Sequence, residues 1–448
     1  MEHNYQQSIY GEIPSDWRID SLKDVCVKEE GILTGPFGSQ LHQKDYQSKG
    51  TPIITVEHLG ENYLFHSDLP RVSDSDYKRL SRYSLQAGDI VFSRVGSVDR
   101  RALVREEETG WLFSGRCLRV RPNRDVINPE FLSWFFGLPI FKDYVRRIAV
   151  GATMPSLNTA LLSNVEIIVP PLPEQNLIAR TLSSLTDNIL LNNKMNKTLE
   201  AIGQAVFKRG FIDFEFPNEE GKPYKSSGGE MVDAGEIGKE IPKGWKVGRI
   251  EDVADVVGGG TPSTKVESYF TNTGIHWLTP KDLSGFEGKF IDKGVTDITE
   301  EGLKNSSAKL MPKGTILFTS RAPIGYVAIA LNSITTNQGF KSLIPKNKMQ
   351  TEYLYQYLRL ITPHIQSISC GSTFGEISGR AMKGIEIVIP EKLGVEKFEE
   401  FMAPVNSRII NNVFSVRTLK EIRDSLLPRL MSGRIRIPVE ERTADNRK

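Results

Sequence analysis

The sequence predicts an α+β protein, in which two duplicated mixed α/β domains are joined by two long helices that pair as an antiparallel coiled coil. Three observations carry this expectation. Landmarks recur at a nearly constant offset between the two halves of the 448 residues. Each half runs from short strand-like segments through one amphipathic helix to a proline. Each then enters a long apolar seam of heptad character, and a period of this length marks a duplicated domain rather than a solenoid.

The first copy opens at Glu12-Ile13-Pro14 and Trp17, which return as Glu240-Ile241-Pro242 and Trp245, an offset of 228. Ile90-Val91-Phe92-Ser93-Arg94 returns as Ile316-Leu317-Phe318-Thr319 followed by Arg321. Gly151-Ala152-Thr153 matches Gly371-Ser372-Thr373, and Val165 to Pro170 matches Ile385 to Pro390, now at an offset of 220. Length changes therefore fall early, in loops. Apolar and β-branched runs such as Pro52-Ile53-Ile54-Thr55-Val56, bounded by glycines, read as strands. A helix is expected after Asn128-Pro129 and after Gln350-Thr351.

The seam of the first long helix is Ile178, Leu182, Leu185, Ile189, Asn192, Met195, Leu199, Ile202 and Val206. Its counterpart is Phe398, Met402, Val405, Ile409, Asn412, Ser415 (or Val416), Leu419, Ile422 and Leu426. Each carries one asparagine at the same place, and a lone polar residue in such a seam fixes register. In an antiparallel pair, Asn192 and Asn412 are expected to meet at the centre. The expected organisation is thus a domain over residues 1–170, a helix over 171–215, a linker over 216–240, a second domain over 241–390, a second helix over 391–435 and a charged tail over 436–448.

Composition bounds the function. A hydrophobic share of 39% and a charged share of 25% are those of a globular protein, and no apolar run reaches a membrane span. Three scattered cysteines and a polar N-terminus without a signal-peptide pattern lead us to expect a cytoplasmic chain. Net charge is only +2, but eight arginines (94, 100, 101, 105, 116, 119, 121, 124) stand against four acids in one stretch. That run is either a solvated strand-and-loop surface or a footprint for phosphates. Gly-Lys pairs lack the P-loop context, and six histidines and three cysteines show no metal spacing. Asn128-Pro129-Glu130-Phe131 loses both Asn and Pro in its duplicate, so a helix start explains it better than a methyltransferase motif. No active site, metal or cofactor site is expected.

Pro171-Leu172-Pro173-Glu174-Gln175 opening a helix that ends Leu199-Glu-Ala-Ile-Gly-Gln-Ala-Val-Phe-Lys-Arg209 resembles the central conserved region of type I restriction–modification specificity subunits. Leu426-Leu427-Pro428-Arg429-Leu430-Met431-Ser432-Gly433-Arg434 is similar to that family's distal region, and the two Ile-Pro-x-x-Trp openings resemble those of its two target-recognition domains. One departure is that the second helix opens Pro390-Glu391-Lys392-Leu393-Gly394, without Leu-Pro-Glu-Gln. The resemblance implies a non-catalytic subunit that reads a bipartite, asymmetric double-stranded DNA target, one half per domain. It implies two methyltransferase subunits and restriction–translocase subunits as partners, with S-adenosylmethionine, Mg2+ and ATP on those partners. The helices would set the spacing between half-sites.

Base reading requires paired donors and acceptors on loops, and phosphate binding requires Lys, Arg, Ser or Thr. The first domain offers Ser39, Gln40, Lys44, Arg94, Arg100 and Arg101. The second offers Thr261, Ser263, Lys265, Lys281, Arg321, Asn337, Gln338 and Lys341. Arg94 and Arg321 are the favoured pair, because they follow matching strands. Thr153-Met154 and Thr373-Phe374 lie in equivalent Gly-flanked loops, which either face DNA or seat each domain on its helix. A stand-alone DNA-binding regulator and a pure scaffold are the rival readings.

Overall fold

The structure is a computed structural model, and it describes residues 4–437 except 236–239, 287, 322, 348–349 and 370–374; the side chain of Ser39 also lies outside the description. The chain divides into two compact units, Met1–Ile189 with Arg417–Lys448, and Leu190–Val416. Each long helix is therefore shared between units.

In the first unit, Ile32–Thr34, Cys117–Val120, Ile90–Ser93 and Arg101–Leu103 form an antiparallel sheet in that order. Arg71–Val72, Thr51–Ile54 and Leu112–Phe113 form a second, small sheet. The strands alternate between two buried faces, which is why Ile90, Phe92 and Leu118 join one core and Val91, Ala102 and Cys117 another. The expected helix after Asn128 is present over Pro129–Phe135, with proline in its first turn and the Asn128 side chain accepting from Phe131 N at 2.9 Å. Its apolar face, Phe131, Leu132 and Phe135, is fully buried against the main sheet.

The second unit repeats the plan. Ala254–Gly258, Lys341–Pro345, Ile316–Ser320, Ile324–Ala330 and Phe290–Ile291 make a five-stranded sheet, with the last pair parallel. A second sheet holds Phe270–Thr271, Thr296–Ile298, Ile275–Leu278 and Thr335–Thr336. The helix expected after Gln350 runs over Thr351–Ile368. In each unit the last strand pairs with the first one after the Ile-Pro-x-x-Trp opening: Glu166–Val169 with Arg18–Ser21, and Glu386–Ile389 with Lys246–Arg249.

The long helices are Leu172–Phe207 and Lys392–Met431, about 54 and 60 Å at 1.5 Å per residue. A short π-helical turn, Lys208–Ile212, extends the first. Within the second unit they run antiparallel. Asn412 Nδ2 donates to Asn196 Oδ1 at 2.8 Å, Gly203 faces Met402, and Phe207 meets Phe398 with ring centroids 6.1 Å apart. Within the first unit Ile178 and Leu182 share a core with Leu427, Leu430 and Met431. Two seam details differ from expectation. Buried Asn412 bonds to Asn196, one turn beyond Asn192. Ile202 and Ile422, duplicates of each other, are each 42% exposed; glycine at 203 lets the helices approach there, so Met402 fills the space instead.

The described part of the expected linker is folded. Phe216 stacks on Tyr224 and Trp245, and Met231–Asp233 pairs with Glu240–Pro242. That hairpin repeats the one made by Tyr5–Ser8 and Gly11–Pro14. The start of the expected tail is also held: Arg436 bonds to Asp16 and Glu174, and Ile435 and Ile437 pack on the first core. The rest of that tail lies outside the described residues.

Candidate nucleic-acid interface

Both units bring the same four segments to one corner of the main sheet, and backbone hydrogen bonds fix their correspondence. Arg94 N donates to Arg116 O at 2.8 Å, and Ser320 N donates to Gly339 O at 2.7 Å. Leu157 N donates to Arg94 O at 2.8 Å, and Ile377 N donates to Ser320 O at 3.1 Å. The turns after the first sheet strand approach too closely for side chains: a Cβ on Gly35 would lie 2.2 Å from Ser114 O, and one on Gly259 would lie 2.0 Å from Asn337 O. Gly259 and Gly260 thus serve close backbone packing, whereas a Cβ on Gly258 would meet nothing.

This register corrects the favoured pair. Arg94 corresponds to Ser320, and Arg321 corresponds to Val95, as the bridges Val95–Ser156 and Arg321–Glu376 also show. The second strand carries one more residue before its arginine. Neighbouring residues in extended chain point to opposite faces, so the two arginines serve different positions.

In the first corner, the Arg94 guanidinium lies 5.9 Å from the ring centroid of Phe37, which is 62% exposed, and Nη1 donates to Gly115 O at 3.0 Å. Its Nε is buried without a hydrogen-bond partner among the described residues. Ser39 lies on the same turn by its backbone. Gln40 follows it, with Oε1 accepting from Tyr83 Oη at 2.8 Å. Lys44 is exposed on the next turn. Met154, on the loop latched to Val95 and Gly96, is exposed; its counterpart Phe374, like Thr373, lies outside the described residues.

One expected DNA contact of this domain is structural. Arg101 is 1% exposed: Nε donates to Ser133 O at 2.9 Å and Nη1 pairs with Glu61 at 2.6 Å. Burial lowers its pKa, and Glu61 opposes that; burial also works to raise Glu61, but Arg101 and Lys142 more than offset it and hold that carboxyl below its ordinary value. Arg101 cannot reach DNA. Arg100 directs Nη2 to Leu59 O at 2.5 Å, tying two loops together. Other arginines of the run also have partners within the domain. Arg119 is buried against Glu30 O, Arg121 pairs with Asp89 at 2.7 Å, Arg124 bonds to Ala87 O, and Arg105 pairs with Asp187 on the first long helix. Arg101 and Arg119 are thus internal anchors, whereas Arg116 and Arg124 remain exposed.

The second corner gathers most of its expected residues. Thr261 Oγ1 bonds to Gln338 Oε1, and Trp277 Nε1 holds Gly260 O at 3.0 Å, setting that turn. Asn337 Oδ1 accepts from Gly339 N at 2.8 Å, and Pro280, next to exposed Lys281, packs against Gly339. Ser263 and Lys265 are exposed further along the same loop. Arg321 and Lys341 converge on Glu376, at 3.8 and 3.4 Å. Sequence reasoning missed Phe37, Gly115 and Glu376, because only the strand register shows that they belong to the corners.

The Leu-Pro-Glu-Gln element is explained here as well. Gln175 is fully buried; its Oε1 accepts from Asn128 N at 2.8 Å and its Nε2 donates to Pro170 O at 2.7 Å. Glu174 accepts from Trp17 Nε1 at 3.1 Å and pairs with Arg436. The second domain is instead held to its helix by Lys289 Nζ, which meets Glu352 Oε2 at 2.5 Å and Asn406 Oδ1 at 2.7 Å. No group of three or more His, Cys, Asp or Glu among the described residues could hold a metal ion, and no helix described is long and apolar enough to cross a membrane.

The same loop corner at the end of a sheet is thus present once in each unit. The family described as the type I restriction modification DNA specificity domain matches residues 14–201 and 242–411. The chain belongs to that family, whose members recognise DNA sequence. It is 44% identical over 189 residues to the MjaIX specificity subunit of Methanocaldococcus jannaschii, which covers 42% of this chain and 43% of that one. It is 24% identical to the HindI specificity subunit of Haemophilus influenzae, covering 94% of this chain and 100% of that one. The crystal structure of a type I S subunit from M. genitalium superposes with a TM-score of 0.57 at 12% identity, over 92% of this chain and 96% of that one, which supports the fold.

Proposed function

We propose that this chain is the specificity subunit of a type I restriction–modification complex, with each corner reading one half of a bipartite, asymmetric DNA target. The observation that carries this reading is the repeated corner: the backbone frame is the same in both domains, and the side chains on it differ at nearly every position. Arg94 beside Phe37 presents a guanidinium suited to a guanine edge or a phosphate, whereas Thr261, Gln338 and Asn337 present hydroxyl and amide groups suited to adenine or phosphate. Two different half-sites follow from two different side-chain sets on one frame.

The chain itself does no chemistry in this reading. Two methyltransferase subunits dock on it, and restriction–translocase subunits join them, bringing S-adenosylmethionine, Mg2+ and ATP to their own sites. The continuous helices, each shared by both units, support a role in setting the number of unread bases between half-sites. The setting is the cytoplasm, where the DNA is.

Co-expression with a type I methyltransferase subunit from the same genome, followed by mapping of N6-methyladenine across the host genome, tests the proposal. A single bipartite motif with two defined halves and a fixed gap is expected. Methylation at an uninterrupted motif by an active complex would rule the two-reader reading out.

A further inference from the structure

The two corners differ most in charge. Residue 156 of the first and residue 376 of the second hold the same backbone place, each bridged to the strand residue beyond the sheet end. In the first corner that residue is Ser156. In the second it is Glu376, whose carboxylate lies 3.8 Å from Arg321 Nη1 and 3.4 Å from Lys341 Nζ. The backbone pairing of Glu376 with Arg321, and of Ile377 N with Ser320 O, fixes the acid at this place by main-chain bonds. Both ion pairs are longer than a tight hydrogen bond, and Arg321 and Glu376 are each about 40% exposed, so the contacts are cheap to break. One carboxylate thus serves two cations that otherwise suit any phosphate.

We propose that Glu376 is a specificity-determining residue of the second domain, acting as a removable counter-ion that restrains Arg321 and Lys341 from gripping arbitrary DNA. The proposal rests on the DNA-reading function proposed above. With Glu376 in place the three side chains carry a net single positive charge. Non-specific DNA offers phosphates in exchange for the carboxylate, which gains little and brings a carboxylate near the backbone. Cognate DNA adds base-edge contacts from Gln338, Asn337 and Arg321 that make the exchange favourable. The first corner has no acid at the equivalent place, so its discrimination arises differently, around Arg94 and Phe37.

The test is Glu376→Gln in the full chain assembled with its methyltransferase, with Glu376→Asp as the charge-retaining control. Binding to a random duplex is measured by fluorescence anisotropy through a salt titration, alongside methylation mapping. Freeing one cation for one further phosphate steepens the slope of log K against log salt by about 0.9, which is roughly 8-fold tighter non-specific binding at 0.1 M salt. Methylation should spread to near-cognate versions of one half-site while the other half is unchanged. Glu376→Asp should keep the original slope. An unchanged slope in Glu376→Gln overturns the proposal. So does loss of one half-site without any gain in non-specific affinity, which would make Glu376 a base reader. If the unaltered complex itself shows no sequence preference, the underlying function fails rather than the role of Glu376.

Discussion

Replacing Lys289 with Met tests how the second domain is held to its helix. Lys289 is 0% exposed and Glu352 1%. The ammonium meets Glu352 Oε2 at 2.5 Å and Asn406 Oδ1 at 2.7 Å, with the rings of Phe290 and Tyr355 5.3 and 5.0 Å away. Asn406 Nδ2 and Gln356 Nε2 also donate to the carboxylate, each at 2.9 Å. Burial pushes the lysine pKa down and Glu352 pushes it back up, so the pair forms one electrostatic unit. Methionine fills similar volume but leaves Glu352 buried with neutral donors only. Breaking such a pair from one side costs about 3–5 kcal/mol. For a unit spanning Leu190–Val416, that lowers its melting temperature by roughly 6–10 °C at about 2.1 cal/mol/K per residue. Removing both charges in Lys289→Met/Glu352→Gln should recover most of the loss, because no uncompensated charge is left. Calorimetry of the three variants reads this directly. A loss below about 1 kcal/mol for Lys289→Met, or a double variant as unstable as the sum of the singles, would refute the reasoning.

Glu399 accepts from Glu352 N at 2.6 Å and Tyr353 N at 3.3 Å, and burial, with Glu352 nearby, pushes its pKa up to about 7. A raised carboxyl pKa means the folded state holds the proton longer than the unfolded one. The second unit should therefore be most stable below the unfolded value and lose stability as pH rises through about 7, by an order of 1–2 kcal/mol at this partly exposed site. Thermal melts against pH should show that slope, and Glu399→Gln should flatten it; a slope of opposite sign would contradict the assignment. Arg101→Ala should destabilise the first unit by about 2–4 kcal/mol, since it strips partners from Ser133 O and Glu61. Surviving complex should keep its sequence preference, and a changed half-site in methylation mapping would return Arg101 to the DNA surface.

The architecture was legible because the duplication recurs at landmarks along the chain and the seam periodicity runs through both long helices. The helices at Asn128 and Thr351 and the long helices after Pro170 and Pro390 all begin within a residue or two of expectation, but the long ones end earlier, at Phe207 and Met431 rather than at 215 and 435. Burial at particular points was not legible. Arg101 and Arg119 look like surface cations in sequence, yet they anchor loop carbonyls inside the domain, and only three-dimensional closure separates such anchors from DNA contacts. Matching Arg94 with Arg321 failed by one residue, which reverses a side chain in extended structure. Asn412 lies buried between the helices, but its partner is set by the helix stagger, which places Asn196 rather than Asn192 opposite. Glu174 and Gln175 stood out by motif alone, and their roles as clamps on Trp17, Asn128 and Pro170 emerge only from packing.

The central claim is that the two corners read independently, and the most direct measurement of it is the methylated motif produced by Arg94→Ala and by Arg321→Ala, each in the assembled complex. Loss of one good base contact relaxes discrimination at a position by about 1–3 kcal/mol. The account predicts that Arg94→Ala degrades one half of the motif, that Arg321→Ala degrades the other, and that the gap between halves stays constant. Degradation of the same half by both substitutions, or of both halves by either one, would contradict it.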